Sequence, residues 1–202
     1  MKTNFEFLTL SIYYDIDFKK LTENIKKRPY YKLAIKNNEV VVFKDKLKME
    51  RYFNPESGEQ FEMFSWWSNR KYPKNVFLTS NSSDGLYLFS KRIRDELHCS
   101  LIRISMSTSS KDEYSCFWFQ YIYPDGKERV IYALKEDRWV FYEEGDILPF
   151  ENPEYYKRRR IKDRINNEII IEYLVKCGIN FYDIDSDVDQ CMTLERKKWN
   201  SE

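Results

Sequence analysis

Residues 5–14, FEFLTLSIYY, carry the β-branched and aromatic side chains of a strand. After Asp15 and Asp17, which can cap a helix, Phe18, Leu21 and Ile25 recur at steps of three and four until Pro29, which predicts a short amphipathic helix. Residues 31–36 (YKLAIK) and 39–44 (EVVVFK) read as two short strands, and Asn37-Asn38 between them tolerates positive φ, so a tight hairpin is expected. Asn54-Pro55 and Ser57-Gly58 look like loop. Phe61, Met63 and the pair Trp66-Trp67 suggest a strand ending in an aromatic corner.

The segment TSNSSD (79–84) has turn and cap chemistry. It precedes a helix over about 84–97 with Leu86, Phe89, Ile93 and Leu97 on one face and Lys91, Arg92, Arg94, Asp95 and Glu96 mostly on the other. Four strand-like runs follow at 101–106, 114–123, 128–135 and 138–142, with Pro124-Asp125-Gly126 and Glu136-Asp137 as turns. Connections this short make an antiparallel meander over about 100–142, because parallel neighbours need long crossovers. In the second run Tyr114, Cys116, Trp118, Gln120 and Ile122 share one face, and Ser115, Phe117, Phe119, Tyr121 and Tyr123 the other. Both faces are largely apolar, so helices can cover one and something else must cover the second. Past the extended stretch Leu148–Pro153, Ile161, Ile165, Ile169 and Tyr173 predict a helix over 154–176 whose weak point is Asn166-Asn167, with Gly178 after its end. Residues 179–182 read as a short strand and the last ten as a frayed helix. The expectation is one α+β domain over 1–202, mainly antiparallel sheet packed with amphipathic helices.

Composition adds little that is directional. Of 202 residues, 42% are hydrophobic and 17% aromatic, enough to build a core, and 33% are charged, enough to solvate the outside. The formal net charge is +1, which argues against a general polyanion binder. Cys99, Cys116, Cys177 and Cys191 include no C-x-x-C pair, and reduced thiols are expected, with a disulfide left open by the even count. Glu6 interrupts any apolar leader, and no stretch approaches bilayer length, so a cytoplasmic protein is expected.

Signals of chemistry are sparse. His98 is the one histidine, and it falls at the junction of a helix and a strand, where a capping role fits better than catalysis. Five glycines leave no phosphate loop of either common type. Asp183, Asp185, Asp187 and Asp189 alternate as calcium ligands can, but Val188 and Leu194 stand where a helix–loop–helix calcium loop needs glycine and glutamate. An acidic turn beside a helix N-terminus is the plainer reading. Asp125, Glu136 and Arg138 faintly resemble a metal-dependent nuclease pattern, with arginine where a lysine belongs. Arg158, Arg159 and Arg160 form the strongest basic cluster and carry a nucleic-acid alternative, although interleaved acids such as Glu154, able to pair with Arg158, favour a solvated helix face. No catalytic residue and no cofactor is expected.

From Arg138 to Gly178 the chain resembles the C-terminal part of small bacterial immunity-type proteins found beside polymorphic or contact-delivered toxins. The resemblance rests on Arg138-Trp139-Val140-Phe141, on Gly145 followed by Leu148-Pro149-Phe150-Glu151, on Tyr155-Tyr156 and on the helix around Arg164 to Tyr173. It implies a cytoplasmic protein that neutralises a cognate toxin by direct contact, with aromatic and arginine anchors supplying affinity. Solvent-facing aromatics among Trp66, Trp67, Tyr121 and Tyr123 are the expected contacts.

Overall fold

The computed structural model describes residues 6–44, 46–53, 63–108 and 115–197. Its centre is β1 (Phe7–Tyr14), which pairs antiparallel with β4 (Tyr72–Ser80) on one side and β5 (Ser100–Ser107) on the other. The other strands are β2 (Val40–Lys44), β3 (Met63–Asn69), β6 (Cys116–Ile122), β7 (Glu128–Lys135), β8 (Trp139–Glu144) and β9 (Val188–Arg196). Together they form one nine-stranded antiparallel sheet in the order β2-β9-β3-β4-β1-β5-β6-β7-β8. The expected α+β fold, mainly antiparallel, is what the chain adopts.

Helices pack on both faces. On one side α4 (Asn167–Lys176) brings Ile169, Ile170, Tyr173 and Leu174 against Leu8, Leu10, Ile12, Phe77, Ile104, Phe119 and Ile131. On the other, α1 (Phe18–Lys27), α2 (Pro29–Lys36) and α3 (Tyr87–Leu97) pack Leu21, Ile25, Ala34 and Ile93 against Tyr13, Val76, Leu78, Leu101 and Ile122. No side chain of β7 or β8 belongs to this second core. The three helices therefore stop short of the β7–β8 end of the sheet, which positions the site described below.

The meander was legible as strands β5 to β8, with Gly126 in its turn at φ +92°. Other expectations are corrected. Residues 31–36 form α2, not a strand: Pro29 ends α1 but also starts α2, because a missing N–H costs nothing in the first helical turn. Asn37-Asn38 is thus the helix end, where the Asn37 N–H bonds Leu33 O and Asn38 takes φ +60°. Strand β2 then pairs with β9, the strand that replaces the expected C-terminal helix. The helix expected over 154–176 is α-helical only from Asn167, where Asn166 Oδ1 accepts from the Ile169 N–H at 3.0 Å. Before it lie 3-10 turns at Pro153–Lys157 and Ile161–Asp163. A further 3-10 turn, Phe181–Asp183, stands where 179–182 were read as strand. Along α3, Ser90, Ile93 and Arg94 are the buried positions, so Arg94 moves from the expected polar face to the interior.

A buried polar cluster ties β7 to the chain after β8. Arg129, 2% exposed, donates from Nε and Nη2 to Glu151 at 2.8–3.2 Å, from Nη2 to Glu143 at 2.7 Å, and from Nη1 to the Gly145 carbonyl at 3.1 Å. Glu151 also accepts from Tyr156 Oη at 2.6 Å and the Leu148 N–H at 3.0 Å. Gly145 sits at φ +86° with Glu128 O where a Cβ would be, 2.1 Å away, so the close approach of β7 needs glycine there. Among the described residues no helix is long and apolar enough to cross a membrane.

Candidate functional site: the open face of the meander

Alternation along β5–β8 sends Phe117, Phe119, Tyr121, Ile131, Trp139 and Phe141 toward the α4 side, where they join its core. The opposite face presents a grid set by strand register. One rung runs Arg103, Gln120, Val130, Glu144, and the next Ser105, Trp118, Tyr132, Tyr142. The second rung is an aromatic ladder. The Trp118 and Tyr132 rings stack at 4.7 Å and 1°, and Tyr132 and Tyr142 at 5.2 Å and 24°. Stacked cross-strand aromatics of this kind add about 0.5–1.5 kcal/mol beyond their buried area.

Above the grid, Asp84 and Tyr87, at the start of α3, form one wall of a cleft of about 480 Å³, which Cys116 and Glu128 also line. Gly85 lets this segment lie on β1, since a Cβ would stand 2.7 Å from Thr9. The wall is fixed by charge. Arg103, 7% exposed, donates from Nη2 to the Asp84 carbonyl at 2.6 Å, and its guanidinium lies 4.7 Å over the Tyr87 ring. Burial alone would raise the Asp84 carboxyl. The Ser82 hydroxyl at 2.6 Å and the Leu86 and Tyr87 N–H groups outweigh it and hold Asp84 below the usual carboxylate range. Gln120 Nε2 donates to Glu128 at 2.8 Å, and Lys91 reaches the same carboxylate at 3.7 Å. At the outer end Glu144 accepts from Tyr142 Oη at 2.6 Å. Arg103 Nε and Trp118 Nε1 are buried with no hydrogen-bond partner among the described residues. Burial pushes the Cys116 thiol up to about 11, too high for a nucleophile near neutral pH.

The residues singled out from sequence lie elsewhere. Trp66 and Trp67 are both 0% exposed, which corrects the expectation of solvent-facing rings. As consecutive strand residues they point to opposite faces, one into each core, with Trp66 Nε1 donating to Thr22 Oγ1 and Trp67 Nε1 to Ile184 O, both at 2.8 Å. Tyr121 and Tyr123 are half-buried against the α4-side core. Phe61 and Tyr114 lie outside the described residues, as do Asn54-Pro55 and Ser57-Gly58.

Of the basic cluster, Arg158 stacks on Tyr155 at 4.2 Å and donates to the Asp163 carbonyl, Arg160 pairs with Asp163 at 2.6 Å, and Arg159 is exposed. Glu154 pairs with Lys157, not with Arg158. In the acidic segment Lys71 binds Asp183 and holds its carboxyl below the usual range, while Arg70 pairs with Asp187 at 3.1 Å and Asp189 at 3.5 Å. Asp185 lies between them in the turn that enters β9. Among the described residues no three His, Cys, Asp or Glu side chains gather as a metal site. Asp125 and Glu136 lie at opposite ends of β7, more than about 20 Å apart at strand rise, too far to share an ion. His98 is the exposed, left-handed C-cap of α3 at φ +50°. Cys99, Cys116, Cys177 and Cys191 are thiols, not joined in disulfides.

The sequence groups Cys116, Trp118 and Gln120 on one face, but holds no signal for Arg103, Glu128, Tyr132, Tyr142 or Glu144 as their neighbours. Register across four strands brings these together, and register between strands is not written in any one of them. Compared with protein-family models, with curated proteins and with solved structures, this chain matches none.

Proposed function

We propose that this is a binding protein, an immunity-type protein that neutralises a toxin in the cytoplasm by direct contact, and that the toxin docks on the open face of β5–β8. One observation carries the docking surface. The meander is apolar on both sides, yet among the described residues α1–α3 cover the second side only near Leu101 and Ile122; the rest keeps the Trp118–Tyr132–Tyr142 ladder in an open cleft, with Val140 38% and Tyr142 41% exposed. Contiguous apolar surface rimmed by polar groups is what partner sites retain, and tyrosine and tryptophan dominate their energetics. The resemblance of Arg138–Gly178 to immunity-type proteins supports the class of partner, and Tyr142 and Glu144 within that segment line the cleft.

The test is co-expression with the product of the neighbouring reading frame. Growth should be rescued, the two chains should co-purify, and Tyr132→Ser and Tyr142→Ser should each weaken the complex by at least about tenfold, the scale of an interface hot spot. Arg159→Ser should leave it unchanged. Failure of rescue sinks the toxin reading, and a complex indifferent to both tyrosines sinks the docking face. Salt-sensitive binding of duplex DNA lost in Arg158→Ser/Arg159→Ser/Arg160→Ser would favour the nucleic-acid alternative instead.

A further inference from the structure

We propose that the cleft receives an arginine side chain of the docked partner, with its guanidinium flat against the outer face of Tyr142, the end ring of the ladder, and forked onto Glu144; this rests on the docking reading above. The lining carries three carboxylates, Asp84, Glu128 and Glu144, against one guanidinium, Arg103. Three of these four charges are already occupied. Arg103 holds the Asp84 carbonyl and the Tyr87 ring, Asp84 caps the start of α3, and Glu128 is shared by Gln120 and Lys91. Glu144 is different. Its carboxylate accepts the Tyr142 hydroxyl, and no cation of the described residues stands within ion-pair distance.

Among the described residues the aromatic ladder thus ends beside an uncompensated carboxylate on β8, an edge strand of the sheet, where a second molecule has access. Aromatic faces attract cations through their quadrupole, and an adjoining carboxylate adds to the attraction while repelling anions. Stacking covers both faces of Tyr132 and one face of Tyr142, which leaves the outer face of Tyr142 at the end of the ladder. A planar, weakly hydrated guanidinium can stack on it and still point two N–H groups at one carboxylate, whereas a compact, strongly hydrated ammonium gives only one of these interactions at full strength.

The full chain, labelled with ¹⁵N, is titrated with N-acetyl-arginine N-methylamide, with the citrulline analogue that replaces guanidinium by a neutral urea of the same shape, and with the lysine analogue. The readout is the backbone N–H signal of Tyr142, assigned by triple-resonance spectra. The expected result is a saturable shift with arginine and at least about tenfold weaker binding of citrulline. Glu144→Gln should cut arginine affinity by about fivefold or more and leave citrulline binding unchanged, with an unaltered melting temperature showing that the fold is intact. Equal binding of arginine and citrulline, lysine binding as tight as arginine, or no movement of the Tyr142 signal overturns the assignment. If Tyr132→Ser abolishes the toxin complex while arginine leaves the Tyr142 signal unmoved, the docking face stands and the arginine occupant falls. A toxin complex indifferent to Tyr132→Ser removes the docking face and the occupant with it.

Discussion

Replacing Arg129 by methionine isolates what the buried cluster contributes. Arg129 is 2% exposed, and its partner Glu151 has a fully buried side chain. In Arg129→Met the Glu151 carboxylate keeps the Tyr156 hydroxyl and the Leu148 N–H but loses its cation, while the Gly145 carbonyl loses a donor. Leaving one member of a buried ion pair uncompensated costs about 3–5 kcal/mol. For a chain of this size that lowers the melting temperature by about 6–20 °C and the urea midpoint by roughly 1–2 M. Because Arg129 also anchors Glu143 and the chain just after Glu144, the outer wall of the cleft should loosen too. The double variant Arg129→Met/Glu151→Leu should recover much of the loss, since removing both charges eliminates the stranded carboxylate rather than adding a second defect. Urea unfolding followed by tryptophan fluorescence measures all four proteins of the cycle. The reasoning is refuted if Arg129→Met costs less than about 1 kcal/mol, or if the double variant loses the sum of the two single losses.

Two further outcomes follow from the site. Hydrogen bonds hold the Asp84 carboxyl in the folded protein below its unfolded value of about 3.9, so its contribution is fully present above that pH and fades as pH falls through the folded value. The stability difference between wild type and Asp84→Asn, measured by urea midpoint, should therefore shrink between pH 6 and pH 3, and a constant difference refutes the assignment. Burial pushes Cys99 and Cys116 up to about 11 and Cys177 up to about 12, so iodoacetamide at pH 8 should modify these thiols at least about a hundredfold more slowly in the native protein than in urea. A cysteine that reacts equally fast in both states would contradict the packing around it.

The meander's strands and turns, the first helix and the cap at Asn166 were determined by local sequence: period-two alternation, Pro-Asp-Gly, three-and-four spacing and an asparagine before an apolar run all act within a few residues. Tertiary structure decided the rest. YKLAIK has a composition that suits either strand or helix, and packing of α2 against α1 and the sheet selected helix. The last strand, β9, was invisible because its pairing partners, β2 and β3, lie more than a hundred residues away, and no local rule reports a slot between two distant strands. Trp66 and Trp67 were misplaced for the same reason, since a strand covered on both faces buries consecutive side chains alike. The sequence showed that both faces of the meander are apolar. Which face stays open depends on how far across the sheet α1, α2 and α3 reach, and that is settled only when distant segments pack together.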